Sequence, residues 1–276
     1  MPFQDSSDRR IPAWAVDPFK DHLSHLKATG KLLELSTMGI SSIRAMPDMA
    51  RAIIFADGDE SDDAKEKIER AKEYAKFAQE EVDAGFPQLY ADATIGLWTS
   101  LESTIREFFR RWVANRESAR NLKCIASIRV TIGEWESLSL DERPAFIIDH
   151  LERATAANLK QGIGRFECIL TEFGLGGAVD DDNRRELFEL QKVRNVLVHN
   201  RGIADRQLIE SCPWMDLSIG KNVRVKPCCY SRYAVAVNDY CANIIHRLLK
   251  LYDAERLKTE VGSDEEPGAM LTPDRG

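Results

Sequence analysis

Leu97-Trp98-Thr99-Ser100-Leu101-Glu102-Ser103-Thr104-Ile105-Arg106-Glu107-Phe108-Phe109-Arg110-Arg111-Trp112 is the stretch on which the fold turns. Leu97, Leu101, Thr104 and Phe108 recur at steps of four and three, and Trp98, Ile105, Phe109 and Trp112 form a second row beside them. A strand would alternate with a period of two, so this rhythm belongs to a helix. A helix apolar over most of its circumference must be covered on several sides at once. The spacing therefore predicts a central helix over 89–115 inside an all-α helical bundle.

On the N-terminal side, Ser61 stands before a run whose Ala64, Ile68, Ala71, Ala75, Ala78 and Val82 step by four and three as far as Gly85. A serine cap, acidic residues in the first turn and Glu66 four residues before Arg70 all favour a helix there. Its alanine-rich face suits close packing within the chain rather than a partner. Further back, 19–35 and 41–55 carry helical spacing interrupted by Gly30, Gly39 and Pro47, which predicts short helices.

On the C-terminal side, Pro144 begins a helix over 145–160, and a shorter one over 165–173 stops at Gly174-Leu175-Gly176-Gly177. Asp180-Asp181-Asp182-Asn183 caps the next, which ends near Asn200. Pro213, Gly220 and Pro227 surround β-prone Asn222-Val223-Arg224-Val225-Lys226, so 201–229 reads as a loop or β-hairpin excursion. A final helix over 231–258 shows Tyr233, Val237, Tyr240, Ile244, Leu248 and Leu251 on one face. The organisation expected is an N-terminal helical region over 1–85, a helical domain over 86–258 and a disordered polar tail over 259–276.

A chain of 276 residues with 43% hydrophobic content can bury a sizeable core without staples, so its six scattered cysteines read as reduced, buried thiols. The net charge of −7 argues against a surface coated in cations, and any contact with nucleic acid has to be local. The first residues show no secretory pattern and no long apolar run follows. The expectation is a cytoplasmic protein with no membrane contact.

The segment with the most distinctive chemistry is Arg194-Asn195-Val196-Leu197-Val198-His199-Asn200. Leu187, Phe188, Leu190, Val193 and Leu197 supply the packing side of its helix, while Gln191, Arg194, Asn195 and His199 share another strip. Arg194 and His199 are five residues apart, about 140° round an ideal helix, so they border that strip rather than stack. The combination suits a phosphodiester: imidazole moves a proton near neutral pH, guanidinium holds two phosphate oxygens, and an amide orients either. Metal-free RNA cleavage needs a base for the ribose 2′-OH and positive charge for the phosphorane that follows.

In this setting, late in a helix flanked by long apolar helices, the segment resembles the R-x4-6-H motif of HEPN domains. The resemblance spans about 86–258 and implies an up-and-down helical core, a metal-independent endoribonuclease of the toxin or defence type, and a homodimer in which two motifs meet. It places the family's arginine on Arg194, the polar residue after it on Asn195 and the histidine on His199; an acidic residue of the first long helix falls on Glu102. It implies RNA as substrate, an antitoxin or other regulatory protein as a further partner, and no cofactor or metal. The excursion over 201–229 is not part of a minimal HEPN bundle.

Plainer readings stand beside these. Arg194 and His199 are also favourable simply as cations near the negative end of a helix dipole, and HEPN-like bundles also occur as catalytically inactive interaction or dimerisation modules. A metal-dependent nuclease ranks low, because no carboxylate-rich cluster shares a face. His22, His25, His150 and His246 read as ordinary surface or core residues, and Cys228-Cys229 as neighbouring thiols. The basic row Arg106, Arg110, Arg111, Arg116, Arg120 and Lys123 reads either as an RNA groove or, more commonly, as a solvated face balanced by local acids.

Overall fold

A computed structural model describes residues 11–58, 61–154 and 161–263. About 78% of the chain is helical and no strand occurs among the described residues, so the fold is the all-α bundle read from the sequence. Helices α1 (Ala13–Ile43), α2 (Met46–Asp57) and α3 (Asp62–Ala84) lead into α4 (Pro87–Asn115). Short segments α5 (Glu117–Arg120), α6 (Lys123–Ala126) and α7 (Ile132–Ser137) carry the chain to α8 (Glu142–Ala154). After them come α9 (Gly164–Glu172), α10 (Asp181–His199), α11 (Arg206–Ser211) and α12 (Pro227–Ser263). None of the described helices is long and apolar enough to cross a membrane.

The central helix is α4, which packs against α1, α8, α10 and α12. Its Leu101, Ile105, Phe108 and Phe109 are fully buried. Phe108 meets Phe19 of α1 at 5.3 Å between ring centroids, and Phe109 meets Phe173 at 5.6 Å, edge to face. Each such side chain contributes about 1.5–3 kcal/mol by leaving water, so this one helix organises much of the core. Ala15, Val16 and Phe19 belong to the same apolar cluster, so the core crosses the boundary expected at residue 85.

Local chemistry sets several helix ends. Ser61 accepts a hydrogen bond from the Ala64 N–H at 3.2 Å, and Gly85 closes α3 with a φ of 76°. Ala64, Ala71 and Ala78 of the alanine stripe are buried, and α3 packs on α1 and α2, as expected of an intramolecular face. Arg70 pairs with Glu66 at 2.8 Å.

Three expectations need correction. Residues 19–35 are not a short helix: α1 runs unbroken through Gly30 and Gly39. A glycine costs a helix only about 1 kcal/mol, less than α1 gains by lying on α3 and α4. The last helix begins at Pro227 rather than near 231, because proline is well suited to a first helical turn. It continues through 259–263, which were expected in the tail, while 264–276 lie outside the described residues. Of the two forms expected for the excursion, loop or β-hairpin, the structure has the loop. It contains α11 and one antiparallel bridge, Ile203 to Asn222, with the Val223 N–H donating to the Gly202 carbonyl at 2.7 Å. Residues 155–160, expected to be helical, lie outside the described residues.

Candidate functional site

Position and regularity of α10 come from its ends and its buried face. Asp180 caps it by accepting from the Asp182 and Asn183 N–H groups at 3.0 and 3.2 Å. Leu187, Leu190, Val193 and Val196 are buried on the side of α10 that meets α4 and α12, and Phe188 and Leu197 pack half-buried against the same core, as expected. The helix stays regular through His199, and Arg201 and Gly202 then turn the chain sharply with φ angles of 54° and 75°. Arg194 and His199 consequently keep their separation round the helix.

Asn195 and His199 line one cleft of about 210 Å³, together with Lys192 on the same helix. Asn200, Asp205 and Gln207 form the opposite wall. Asp205 is fixed there by two bonds: Oδ1 accepts from the Leu208 N–H at 2.8 Å, capping α11, and Oδ2 accepts from Asn200 Nδ2 at 2.6 Å. His199 is exposed to solvent at the mouth. Lys192 is 8% exposed, its Nζ stands 5.1 Å from the centre of the Phe188 ring, and it holds no ion pair among the described residues. It was missed in the sequence because a lysine on a helix reads as a solvent-facing residue. The available signal was its spacing, three residues before Asn195 and seven before His199.

The other expected site residues lie elsewhere. Arg194 does not line this cleft; its Nη1 donates to Asn195 Oδ1 at 3.3 Å and its buried Nε has no partner. Glu102 forms an ion pair with Arg165, and no hydrogen bond among the described residues joins it to Arg194, Asn195 or His199. Gln191 accepts from the Gly162 N–H at 2.6 Å, which ties α10 to the start of α9.

The excursion is fastened beside the cleft by Glu189, which is 4% exposed. One carboxylate oxygen accepts from Arg232 Nη2 at 2.5 Å and from the Tyr233 hydroxyl at 2.6 Å, and the other accepts from Trp214 Nε1 at 2.5 Å. A buried carboxylate has to collect such donors, since leaving it unpaired is costly. Burial, followed by the bond to Glu189, pushes the Tyr233 phenol far above its ordinary range. Burial likewise raises the Cys212 thiol to about 11 and the Cys241 thiol to about 12. All six cysteines are free, but only Cys212 and Cys241 are buried; Cys228 is exposed.

Unlike the cations of α10, the arginines of α4 are answered by acids. Arg106 pairs with Asp149 and reaches Glu152 at 3.5 Å, and Glu107 takes Arg110 at 2.7 Å and Arg111 at 2.6 Å. The hydrogen bond from Arg110 leads the effects that hold the Glu107 carboxyl below its usual range. Arg116 pairs with Glu255 and stacks over Trp112 and Tyr252. Arg120 donates to the Val113 and Ala114 carbonyls.

No group of three or more His, Cys, Asp or Glu side chains placed to hold a metal occurs among the described residues. Comparison with protein-family models, with curated proteins and with solved structures finds no match to this chain. What the site does is therefore argued from its own chemistry.

Proposed function

We propose that the chain is a metal-independent endoribonuclease of HEPN type, acting on RNA as a homodimer. One observation carries this reading: an exposed imidazole, an amide and an ammonium group without an ion pair among the described residues line one cleft, on His199, Asn195 and Lys192. His199 takes the proton of a ribose 2′-OH, and the freed oxygen attacks the adjacent phosphorus. Lys192 balances the charge that gathers on the phosphorane, and Asn195 orients a phosphate oxygen. The 5′-oxygen leaves with the proton returned by the His199 imidazolium, giving a 2′,3′-cyclic phosphate and a 5′-hydroxyl end. Arg194 does not line the cleft of its own His199, and a second copy set against the first supplies its guanidinium to the partner's cleft.

The test is RNA cleavage in excess chelator by the full chain and by His199→Ala. The unaltered chain is expected to leave cyclic phosphate ends, and the variant to be about 10²–10⁴-fold slower with an unchanged melting temperature. Equal cleavage by both removes His199 from the reaction. A second reading, a catalytically silent helical interaction module, is favoured by the bond between Arg194 and Asn195, which occupies both side chains within one copy. It expects no cleavage of any RNA in chelator.

A further inference from the structure

The strip of α10 that lines the His199 cleft extends beyond Lys192. Arg185, Phe188, Lys192, Asn195 and His199 step by three, four, three and four, which keeps them on one face over about 21 Å of helix. At the far end of this strip a second cleft, of about 360 Å³, opens between α10, the start of α9 and the excursion. Phe188 and Trp214 stand in it with ring centroids 6.5 Å apart, and the Arg185 guanidinium lies 4.3 Å over the Trp214 ring. Arg184 is the other cation of the lining, and neither arginine holds an ion pair among the described residues. Gly162 closes the inner wall with a φ of 55°, and a Cβ there would lie 3.4 Å from the Phe188 backbone.

We propose that this second cleft binds one nucleotide of single-stranded RNA whose scissile phosphate lies at His199. Its base stacks with Phe188 and Trp214, and its phosphate is held by Arg184 and Arg185. The inference deepens the ribonuclease reading and takes the identity of its ligand from it. Aromatic faces accept any unstacked base, and a guanidinium already lying on an indole extends the stack while its N–H edge remains free for phosphate oxygens. Asp181 at the rim can accept from a ribose hydroxyl or an exocyclic amine. Phe188 and His199 are about 17 Å apart along the axis, a distance spanned by a few nucleotides of extended strand. A duplex keeps its base faces covered and cannot enter in this way.

The test uses the full chain carrying His199→Ala, which prevents turnover, and a labelled single-stranded oligoribonucleotide of about eight nucleotides, read by fluorescence anisotropy in chelator. Adding Arg184→Ala and Arg185→Ala, both at exposed positions, is expected to weaken binding about tenfold or more. A duplex of the same sequence should bind at least tenfold more weakly than the single strand, and adenosine monophosphate should compete only at far higher concentration. Unchanged affinity in the arginine variant, equal affinity for the duplex, equal competition by the mononucleotide, or no binding of the strand would each overturn the proposal. Cleavage by the unaltered chain alongside unchanged affinity in the arginine variant sinks this subsite alone. Arginine-dependent binding without cleavage of any RNA sinks the ribonuclease reading alone.

Discussion

The arginines of α4 and the cations of α10 sit on helices packed against each other, yet their electrostatic states are opposite. Arg106, Arg110 and Arg111 each meet a carboxylate, as does Arg116 just beyond the end of α4, whereas Arg184, Arg185, Lys192 and Arg194 meet none among the described residues. In a chain with a net charge of −7, acids were plentiful enough to answer both rows. A cation already paired has little to offer a phosphate. One without a carboxylate partner keeps its N–H groups available to an anion, which makes α10 the face on which to look for a ligand. Counting basic residues along the sequence points to α4; examining their partners points to α10.

The largest effect that would break this contrast is on turnover. Lys192→Met should lower kcat about 10²–10³-fold, as expected for loss of a charge facing the transition state, while the melting temperature holds because the buried apolar stem is kept. Arg110→Met on α4 should leave kcat within about twofold. Similar losses from both would erase the distinction between the helices.

Next in size is the fastening of the excursion. Glu189→Ala strands the Tyr233 hydroxyl and the Trp214 N–H and frees Arg232, so the urea midpoint should fall by the equivalent of about 3 kcal/mol. A shift below about 1 kcal/mol would mean that the excursion is held by apolar packing instead.

The α4 side has an unpaired group of its own, and it sharpens the comparison. His22 of α1 is 3% exposed, its Nδ1 lies 2.8 Å from the Ser100 hydroxyl, and its buried Nε2 has no partner. Burial, with a lesser contribution from His25, lowers its pKa to about 4. The unfolded chain therefore binds a proton below about 6.5 that the folded chain refuses. This stability is complete above 6.5 and is lost as pH falls towards 4. Denaturant unfolding should weaken across that window by up to about 3 kcal/mol, and His22→Gln should flatten the trend. An equally steep trend in the variant would assign it to other groups.

The smallest effect is expected at Glu102. Its ion pair with Arg165 is partly exposed, so Glu102→Gln should cost no more than about 1 kcal/mol in thermal unfolding and leave the cleavage rate within about twofold. A hundredfold slower rate would bring Glu102 into the catalytic machinery.

What was legible in the sequence was written in neighbouring residues. The rows around Leu101 and Phe109 gave the central helix, and Ser61 and Asp180 marked helix starts because a cap bonds to N–H groups two or three residues away. Asn195 and His199 share a cleft because their spacing of four keeps them on one face. What was hidden depends on distant partners. Glu189 looks like a surface acid until Trp214, Arg232 and Tyr233 arrive from 25, 43 and 44 residues further on. The continuity of α1 through its glycines was set by packing on α3 and α4 rather than by local propensity. Likewise, the β-prone residues 222–226 find only Ile203 as a bridge partner, so their propensity never grows into a sheet.

The proposal that Arg194 of a second copy completes the cleft of His199 is tested most directly by mixing two variants. Arg194→Ala and His199→Ala chains, each inactive alone in chelator, should regain RNA cleavage when mixed and allowed to exchange subunits, because one cleft of the mixed dimer receives an intact histidine and an intact arginine from opposite copies. A mixture as inert as its components, beside an active unaltered chain, would contradict a site built from two copies.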